Sequence, residues 1–239
     1  MKTTGPQILT GALTISLAGQ ELILLPERAV WWPNRSTLFV ADVHFGKEAA
    51  FRAAAIPVPD QTAGLLHRLS EVVCSTGAIR LVVLGDLIHA RRGRCPLTFD
   101  QVSRWRESNY GQLDVLLVRG NHDLAAGDPP TEWRIHCIPD PSPLAPFSLN
   151  HMPPEDPQVP TLCGHLHPVV RLRGPARDSL RLPCFLRTAE TLVLPAFSTF
   201  VDGRIAALRS GDHVFAIADN EVIGIPGWTE AKKRSALIH

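Results

Sequence analysis

The 239-residue sequence lacks any apolar run approaching the roughly 18 to 20 residues that a membrane helix needs, so no transmembrane span is expected. Its first 25 residues hold one lysine and then alternate apolar with polar positions. A secretory leader would carry an unbroken apolar block and is not expected. Cysteine is sparse: Cys74, Cys95, Cys137, Cys163 and Cys184 are scattered, odd in number and without a C-x-x-C pair. Neither a disulfide framework nor a thiolate zinc site is expected, and a reducing cytoplasm fits. Aromatic residues make up only 6%, so no base-stacking platform is evident. Excess charge is also missing. At a net +1 the chain is no polycation, and nucleic-acid contacts have to come from local patches. Lysine is scarce, 4 residues against 20 arginines. Genome composition explains that bias as readily as phosphate recognition by a bidentate guanidinium does. There is no G-x-x-x-x-G-K-[ST], no G-x-S-x-G, and no G-x-G-x-x-G after a strand, which sets aside P-loop, triad-hydrolase and dinucleotide-binding chemistry.

What is present is an ordinary globular composition, with 45% apolar and 20% charged residues. The length suits a single domain over residues 1–239, large enough to bury roughly 70% of the unfolded chain's surface. Short strands are expected at 13–17, 22–25, 29–32 and 37–42, separated by turn residues. From 61 to 76 the period changes. Leu65, Leu66, Leu69, Val72 and Val73 share one helical face, with Asp60 as N-cap and Gly77 as the stop. The nearly all-apolar run 79–85 reads as a strand buried on both faces. A weaker helix over 98–109 and a strand over 113–118 follow. This β-α-β-α-β order predicts an α/β core with parallel strands. Residues 129–160 hold 10 of the 21 prolines and are expected to be loop with short edge strands. Strands return at 169–172, 192–194, 204–208 and 214–218, the last two joined by a hairpin turn at 209–212. The basic tail 231–239 is expected to fray.

Five short motifs follow one another, most at the ends of expected strands: Asp42-Val43-His44, Gly85-Asp86-Leu87-Ile88-His89, Gly120-Asn121-His122-Asp123, Asn150-His151 and Gly164-His165-Leu166-His167. Each is weak alone. An isolated D-x-H is commonplace, and His89 by itself is as much a surface or supporting histidine as a ligand. In an open α/β sheet, however, the carboxyl ends of strands meet at the ligand crevice, so these side chains can converge. Carboxylate, imidazole and amide oxygen without thiolate suit Mn²⁺, Fe or Zn²⁺. Two such ions roughly 3.5 to 4 Å apart, bridged by a carboxylate, would activate water near neutral pH and neutralise phosphate oxygens. Gly85, Gly120 and Gly164 permit tight turns and close approach of backbone to the ions.

With these motifs in this order, the chain resembles the calcineurin-like metallophosphoesterases. The resemblance implies a four-layer α/β/β/α sandwich and a dinuclear centre, with Mn²⁺ favoured over Fe or Zn²⁺. It implies Asp42, His44, Asp86 and His167 as ligands of one ion, and Asp86, Asn121, His151 and His165 as ligands of the other, with Asp86 bridging. His122 then acts as leaving-group acid or transition-state stabiliser, oriented by Asp123. Trp31-Trp32-Pro33, the stretch from Leu38 to Lys47, Phe51-Arg52, Ile56-Pro57-Val58-Pro59 and Pro195-Ala196-Phe197 resemble the narrower ligase-associated DNA-damage-response endonuclease PdeM group. That likeness implies a cytoplasmic DNA-repair setting, DNA as substrate, and repair ligase, helicase or exonuclease partners. The G-D-x-V-D-R-G form of protein phosphatases is absent. Gly85-Asp86-Leu87-Ile88-His89-Ala90-Arg91 stands in its place, against a phosphoprotein substrate.

Basic residues gather near these motifs. Six arginines lie within 80–106 and five within 171–187, and Lys47 and Arg52 follow the first motif. They form either a solvated face or a groove that tracks a nucleic-acid backbone, with Lys47, Arg52, Arg91 and Arg92 as candidate substrate contacts. The leading function is a two-metal phosphodiesterase or nuclease acting on DNA. Competing readings are the same machinery on a cyclic nucleotide, nucleotide pyrophosphate or lipid-linked phosphate, and a non-catalytic metal-binding scaffold in a repair complex. The completeness of the motif set, His122 and Asp123 included, argues against the scaffold.

Overall fold

The computed structural model describes residues 9–108, 110–173 and 179–225. The expected tail at 231–239 lies outside them. The first sheet contains β1 (Leu13–Leu17), β2 (Gln20–Leu25), β3 (Ala29–Trp32), β4 (Thr37–Val40), β5 (Arg80–Leu84), β6 (Asp114–Val118) and β7 (Ile135–Ile138), in that spatial order. β1 to β4 are antiparallel neighbours, whereas β4 to β7 run parallel. The parallel half needs crossovers. These are supplied by α1 (Lys47–Ala53), α2 (Thr62–Thr76), α3 (Pro96–Glu107) and α4 (Asn121–Ala126).

The second sheet is built from β8 (Ser142–Leu144), β9 (Phe147–Leu149), β10 (Thr161–Cys163), β11 (Pro168–Arg173), β12 (Ser179–Arg187), β13 (Thr191–Val193), β14 (Arg204–Ile205), β15 (His213–Ala218) and β16 (Glu221–Ile225). Its main path runs β14-β11-β12-β13-β10-β9-β8, and β15 joins β12 and β16. The proline-rich stretch thus supplies one edge of each sheet, β7 and β8, as its composition predicts. The hairpin expected at 209–212 is corrected. That turn exists, but β14 pairs in parallel with β11, while β15 pairs with β12 and with β16 across Asp219-Asn220. Both turn residues have positive φ, a conformation that asparagine and aspartate tolerate.

Strict alternation divides the core. Ala29, Trp31, Leu38, Val40, Leu81, Val83, Val115 and Leu117 face one way, toward the apolar stripe Leu65, Leu66, Leu69, Val72 and Val73 of α2. Val30, Trp32, Phe39, Val82, Leu84 and Val118 face the other way, into the space between the sheets, against Phe147, Leu149, Leu162 and Phe185. Burial on both faces is why β4, β5 and β6 read as nearly unbroken apolar runs. A third cluster around Val170, Leu186 and Val214 covers the outer face of the second sheet, which carries no α-helix among the described residues.

β4 stops at Val40, so residues 41–44 leave the ladder as loop rather than extending the strand to 42. Parallel pairing puts the ends of β4, β5 and β6 on one edge. In the second sheet β9 and β10 are also parallel. Five strand ends therefore open on the same crevice, in the manner of α/β sheets generally.

Candidate metal centre

The loops that leave these strands are stitched together through their backbones. Asp42 N–H donates to the Gly85 carbonyl (3.2 Å), His44 N–H to Asp86 (2.9 Å), Phe45 N–H to Leu87 (2.8 Å) and His89 N–H to Phe45 (3.1 Å). Asp42, His44, Asp86, His165 and His167 all have positive φ, between 44° and 68°. Each such non-glycine residue costs about 1–3 kcal/mol and persists only where its surroundings over-determine it. Here the surroundings include side chain to backbone bonds. Asp42 Oδ2 accepts from His165 N–H (2.8 Å), tying the two sheets, and Asp86 Oδ1 accepts from His122 N–H (3.0 Å).

Two glycines explain the motif spelling. Gly85 has φ +80°, and a Cβ there would lie 2.0 Å from His151 Nδ1. At Gly120 a Cβ would lie 2.2 Å from Asp86 Oδ1. Side chains at either position would displace the carboxylate and imidazoles gathered there.

Two groups of three stand out, Asp42 with His44 and His167, and Asp86 with His151 and His165. Within each group one ligand atom per residue falls within 4.8 Å of the others. Asp86 borders both, with Oδ2 3.9 Å from His44 Nε2 and Oδ1 3.5 Å from His151 Nε2. Asn121 Oδ1 lies 2.9 Å from His151 Nε2, completing the second group.

The donor chemistry calls for cations. His151 Nδ1 faces the Leu84 carbonyl at 3.1 Å, and a carbonyl only accepts. Nδ1 therefore carries the proton, and Nε2 presents a lone pair to Asn121 Oδ1 and, at 3.0 Å, to His165 Nδ1. His167 repeats the pattern. Its Nδ1 faces the Asp202 carbonyl at 3.2 Å, leaving Nε2 as a lone pair 3.4 Å from Asp42 Oδ1. Both Asp42 Oδ1 and His167 Nε2 are buried without a hydrogen-bond partner. Orphaned acceptors are costly inside a protein, whereas histidines with one nitrogen pinned by a carbonyl are the usual metal ligands. The residues fit divalent ions. Burial holds the His44 imidazole down at about 2, with His89 and His167 adding repulsion, so it is a neutral lone-pair donor. Burial pushes the Asp86 carboxyl upward, as expected for an anion awaiting a positive neighbour.

Beside this centre, His122 Nε2 lies 3.9 Å from Asp86 Oδ2, while its Nδ1 is hydrogen-bonded to the His89 carbonyl oxygen. The expectation that Asp123 orients His122 is corrected. Asp123 accepts from Gly120 N–H (3.0 Å) and Ile88 N–H (3.1 Å), so its carboxylate fixes the start of α4 against the Asp86 loop. Burial raises its pKa to about 6. His89, which the sequence leaves open, stacks on His122 with centroids 5.0 Å apart and planes at 20°. Its Nδ1 is 3.3 Å from His44 Nδ1, and with His44 and His122 it forms a third group of clustered ligand atoms. The signal for it was slight: it is the third residue after Asp86, on a loop whose Ile88 bridges to Phe45 beside His44.

The basic residues do not act as one block. Lys47, half-buried at the start of α1, sets its Nζ 5.9 Å from the Phe200 ring centroid, and burial lowers its pKa. Arg52 is exposed and bonds the Val58 carbonyl at 3.4 Å rather than turning to the centre. Arg91 and Arg92 are exposed on a short turn after His89, with Arg91 Nε on the Ala125 carbonyl (3.1 Å). The remaining four arginines of 80–106 have other duties. Arg94 donates to the carbonyls of Gly127 (3.0 Å) and Asp128 (2.8 Å). Arg80 begins β5, at the end remote from the centre, and pairs with Asp114. Arg104 pairs with Asp100. Arg106 is buried and donates to the carbonyls of Trp133, Tyr110, Leu113 and Arg134.

A family model described as calcineurin-like phosphoesterase matches residues 36–178, a span that holds every member of the two groups. Among solved structures, the Pseudomonas putida nuclease MPE is 38% identical, covering 90% of this chain and 100% of that one, with a TM-score of 0.79. Yfce, a phosphoesterase from E. coli, is 17% identical over 79% of this chain and 97% of that one, with a TM-score of 0.38. No curated protein matches the chain.

Proposed function

The chain belongs to the calcineurin-like phosphoesterase family, a family of metal-dependent phosphoric ester hydrolases, and we propose that it is a two-metal phosphodiesterase that cleaves DNA. The observation that carries this reading is the meeting of two ligand groups at Asp86, with Asp42 Oδ1 and His167 Nε2 buried without a partner and the Nε2 lone pair of His151 beside them. Asp42, His44, His167 and Asp86 would hold one ion, and Asp86, Asn121, His151 and His165 the other. Divalent ions there, Mn²⁺ by preference, would supply Lewis acidity and lower the pKa of water for attack at phosphorus.

The protein's own groups do the rest. The Leu84 and Asp202 carbonyls hold the tautomers of His151 and His167. Asp86 accepts from His122 N–H and so sets His122 next to the phosphorus position. The His89 carbonyl retains the proton on His122 Nδ1, so a proton on Nε2 is the one released to a leaving-group oxygen. DNA as the substrate is supported by the likeness to the Pseudomonas putida nuclease, 38% identical, and by arginines Arg91 and Arg92 standing exposed beside His89.

One panel tests the reading: bis(p-nitrophenyl) phosphate, p-nitrophenyl phosphate, labelled single- and double-stranded DNA, and cyclic nucleotides, each with Mn²⁺. The diester reporter and DNA should be cleaved and the monoester should lag. Hydrolysis of cyclic nucleotides with DNA left intact would overturn the DNA assignment while keeping the metal chemistry.

A further inference from the structure

A cavity of about 240 Å³ lies against His167. Its walls are Pro168, Val169, Pro183, Pro195 and Ala196, and two guanidinium groups enter it, Arg28 and Arg181, together with Asp202. It is smaller than the roughly 300–1,000 Å³ of pockets that enclose a whole small ligand. It therefore suits one unit of a longer molecule whose remainder lies elsewhere, and His167 joins it to the metal centre.

The strand register adds an independent observation. In the antiparallel pair of β11 and β12, Arg171 stands directly opposite Arg181, and Val169 opposite Pro183. Alternation puts these four on one face, the face that lines the cavity, while Val170, Leu172 and Leu182 pack into the third core cluster behind. Like charges directly opposite in a sheet are destabilising. Arg171 Nε is moreover buried with no hydrogen-bond partner. A like-charge pair that costs stability makes sense where an anion is to lie against the two guanidinium groups, and Arg181 is steadied for it through NH2, which donates to the Gly203 carbonyl (2.7 Å). Arg28, which also lines the cavity, is braced there: its NH1 donates to the carbonyls of Ala196 (3.2 Å) and Ser198 (2.9 Å). Apolar walls and three arginines, set against the single carboxylate of Asp202, match a nucleoside with its backbone phosphate.

We propose that this cavity is a subsite for the nucleotide next to the scissile phosphodiester, with its flanking phosphate held between Arg171 and Arg181 and reached by Arg28. The proposal rests on the reading that the substrate is DNA. It means that the enzyme recognises its substrate as a chain, through one phosphate beyond the one it cleaves.

The test is a chain-length series in Mn²⁺: thymidine 5′-(p-nitrophenyl phosphate), then oligothymidylates of two to six nucleotides, with wild type, Arg181→Ala and Arg171→Gln. In the wild type, KM should drop about tenfold at the length that first supplies the flanking phosphate, in line with charge-assisted bonds to one phosphate. Both variants should lose that step, and the salt dependence of log KM should flatten by about 0.7 for the lost contact on a single strand. Arg171→Gln should also keep or raise the thermal midpoint, because it removes a cross-strand repulsion. A merely structural arginine would lower the midpoint. Retention of the full step in both variants would overturn the subsite while leaving the DNA reading intact. Failure of the wild type to cut any oligothymidylate, with bis(p-nitrophenyl) phosphate still hydrolysed, would overturn the DNA reading and this proposal with it.

Discussion

Asp86 is the residue on which the proposed chemistry turns, because its two oxygens face the Nε2 atoms of both ligand groups, Oδ2 that of His44 and Oδ1 that of His151. Asp86→Asn removes a shared negative charge, so elemental analysis should show both ions depleted. Asp42→Asn, which lies in one group, should deplete mainly one. An Asp86→Asn protein that keeps two tight ions would end the bridging assignment. His122 makes a different kind of contact. Its backbone is pinned to Asp86 and its Nδ1 to the His89 carbonyl, so the ring is placed without being buried. His122→Ala should lower kcat by about 100- to 10,000-fold, the range of general acid catalysis, with both metals retained. The loss should shrink on nitrophenyl esters, whose leaving groups need little protonation. Equal losses on good and poor leaving groups would leave an electrostatic role only. Legibility differed between the neighbours in this motif. The place of Asn121 and His122 could be read from Gly-Asn-His-Asp, yet the partner of Asp123 could not, because a carboxylate on a helix's first turn serves its own backbone as readily as a neighbouring imidazole.

Among the elements, α3 shows how an arginine count can mislead. Three of the six arginines in 80–106 are engaged away from the centre, and Arg106 is the strongest case. At 1% exposure, its guanidinium satisfies the carbonyls of Tyr110 and Leu113, in the loop after α3, and of Trp133 and Arg134, at the close of the 131–134 turn. Arg106→Ala should cost at least about 3 kcal/mol in urea unfolding, since each carbonyl left unpaired costs about 1–3 kcal/mol. DNA affinity per folded molecule should not change, and a drop in affinity without a drop in stability would restore Arg106 to the substrate groove. The helices themselves were unevenly visible. α2 was legible from its apolar stripe, whereas α1 and α4 have 7 and 6 residues, too few for a 3.6-residue period to declare itself.

At the scale of the molecule, the candidate centre joins the two sheets. Asp42, His44 and Asp86 come from loops of the first and Asn121 from the start of α4 after β6, and His151, His165 and His167 from loops of the second. Ions held there bind the folded state alone, and each contributes about 2.7 kcal/mol of stability at a free concentration 100 times its Kd. Chelation should therefore lower the unfolding midpoint by roughly 5–10 °C for each ion so bound, at about 2–4 °C per kcal/mol for a chain of this size. The change should reverse on adding Mn²⁺. A midpoint indifferent to EDTA in protein that has lost its metal would deny the ions any part in holding the sheets together.

The sequence by itself determined the elements whose information is local. β1 to β6 and α2 follow from alternation, a helical stripe and turn residues, and the family likeness follows from five motifs whose order survives without any coordinates. Tertiary structure decided what depends on juxtaposition across the chain. Strand partners such as β14 on β11 are of this kind, because a two-residue strand carries no pairing code of its own. So is the fate of each charge. Arg106 turned inward, Arg52 outward, and Arg171 came to face Arg181 only because β11 and β12 align in that register. A side chain's type states which interactions it can make. Which of them it makes depends on the neighbours that folding brings within a few ångströms.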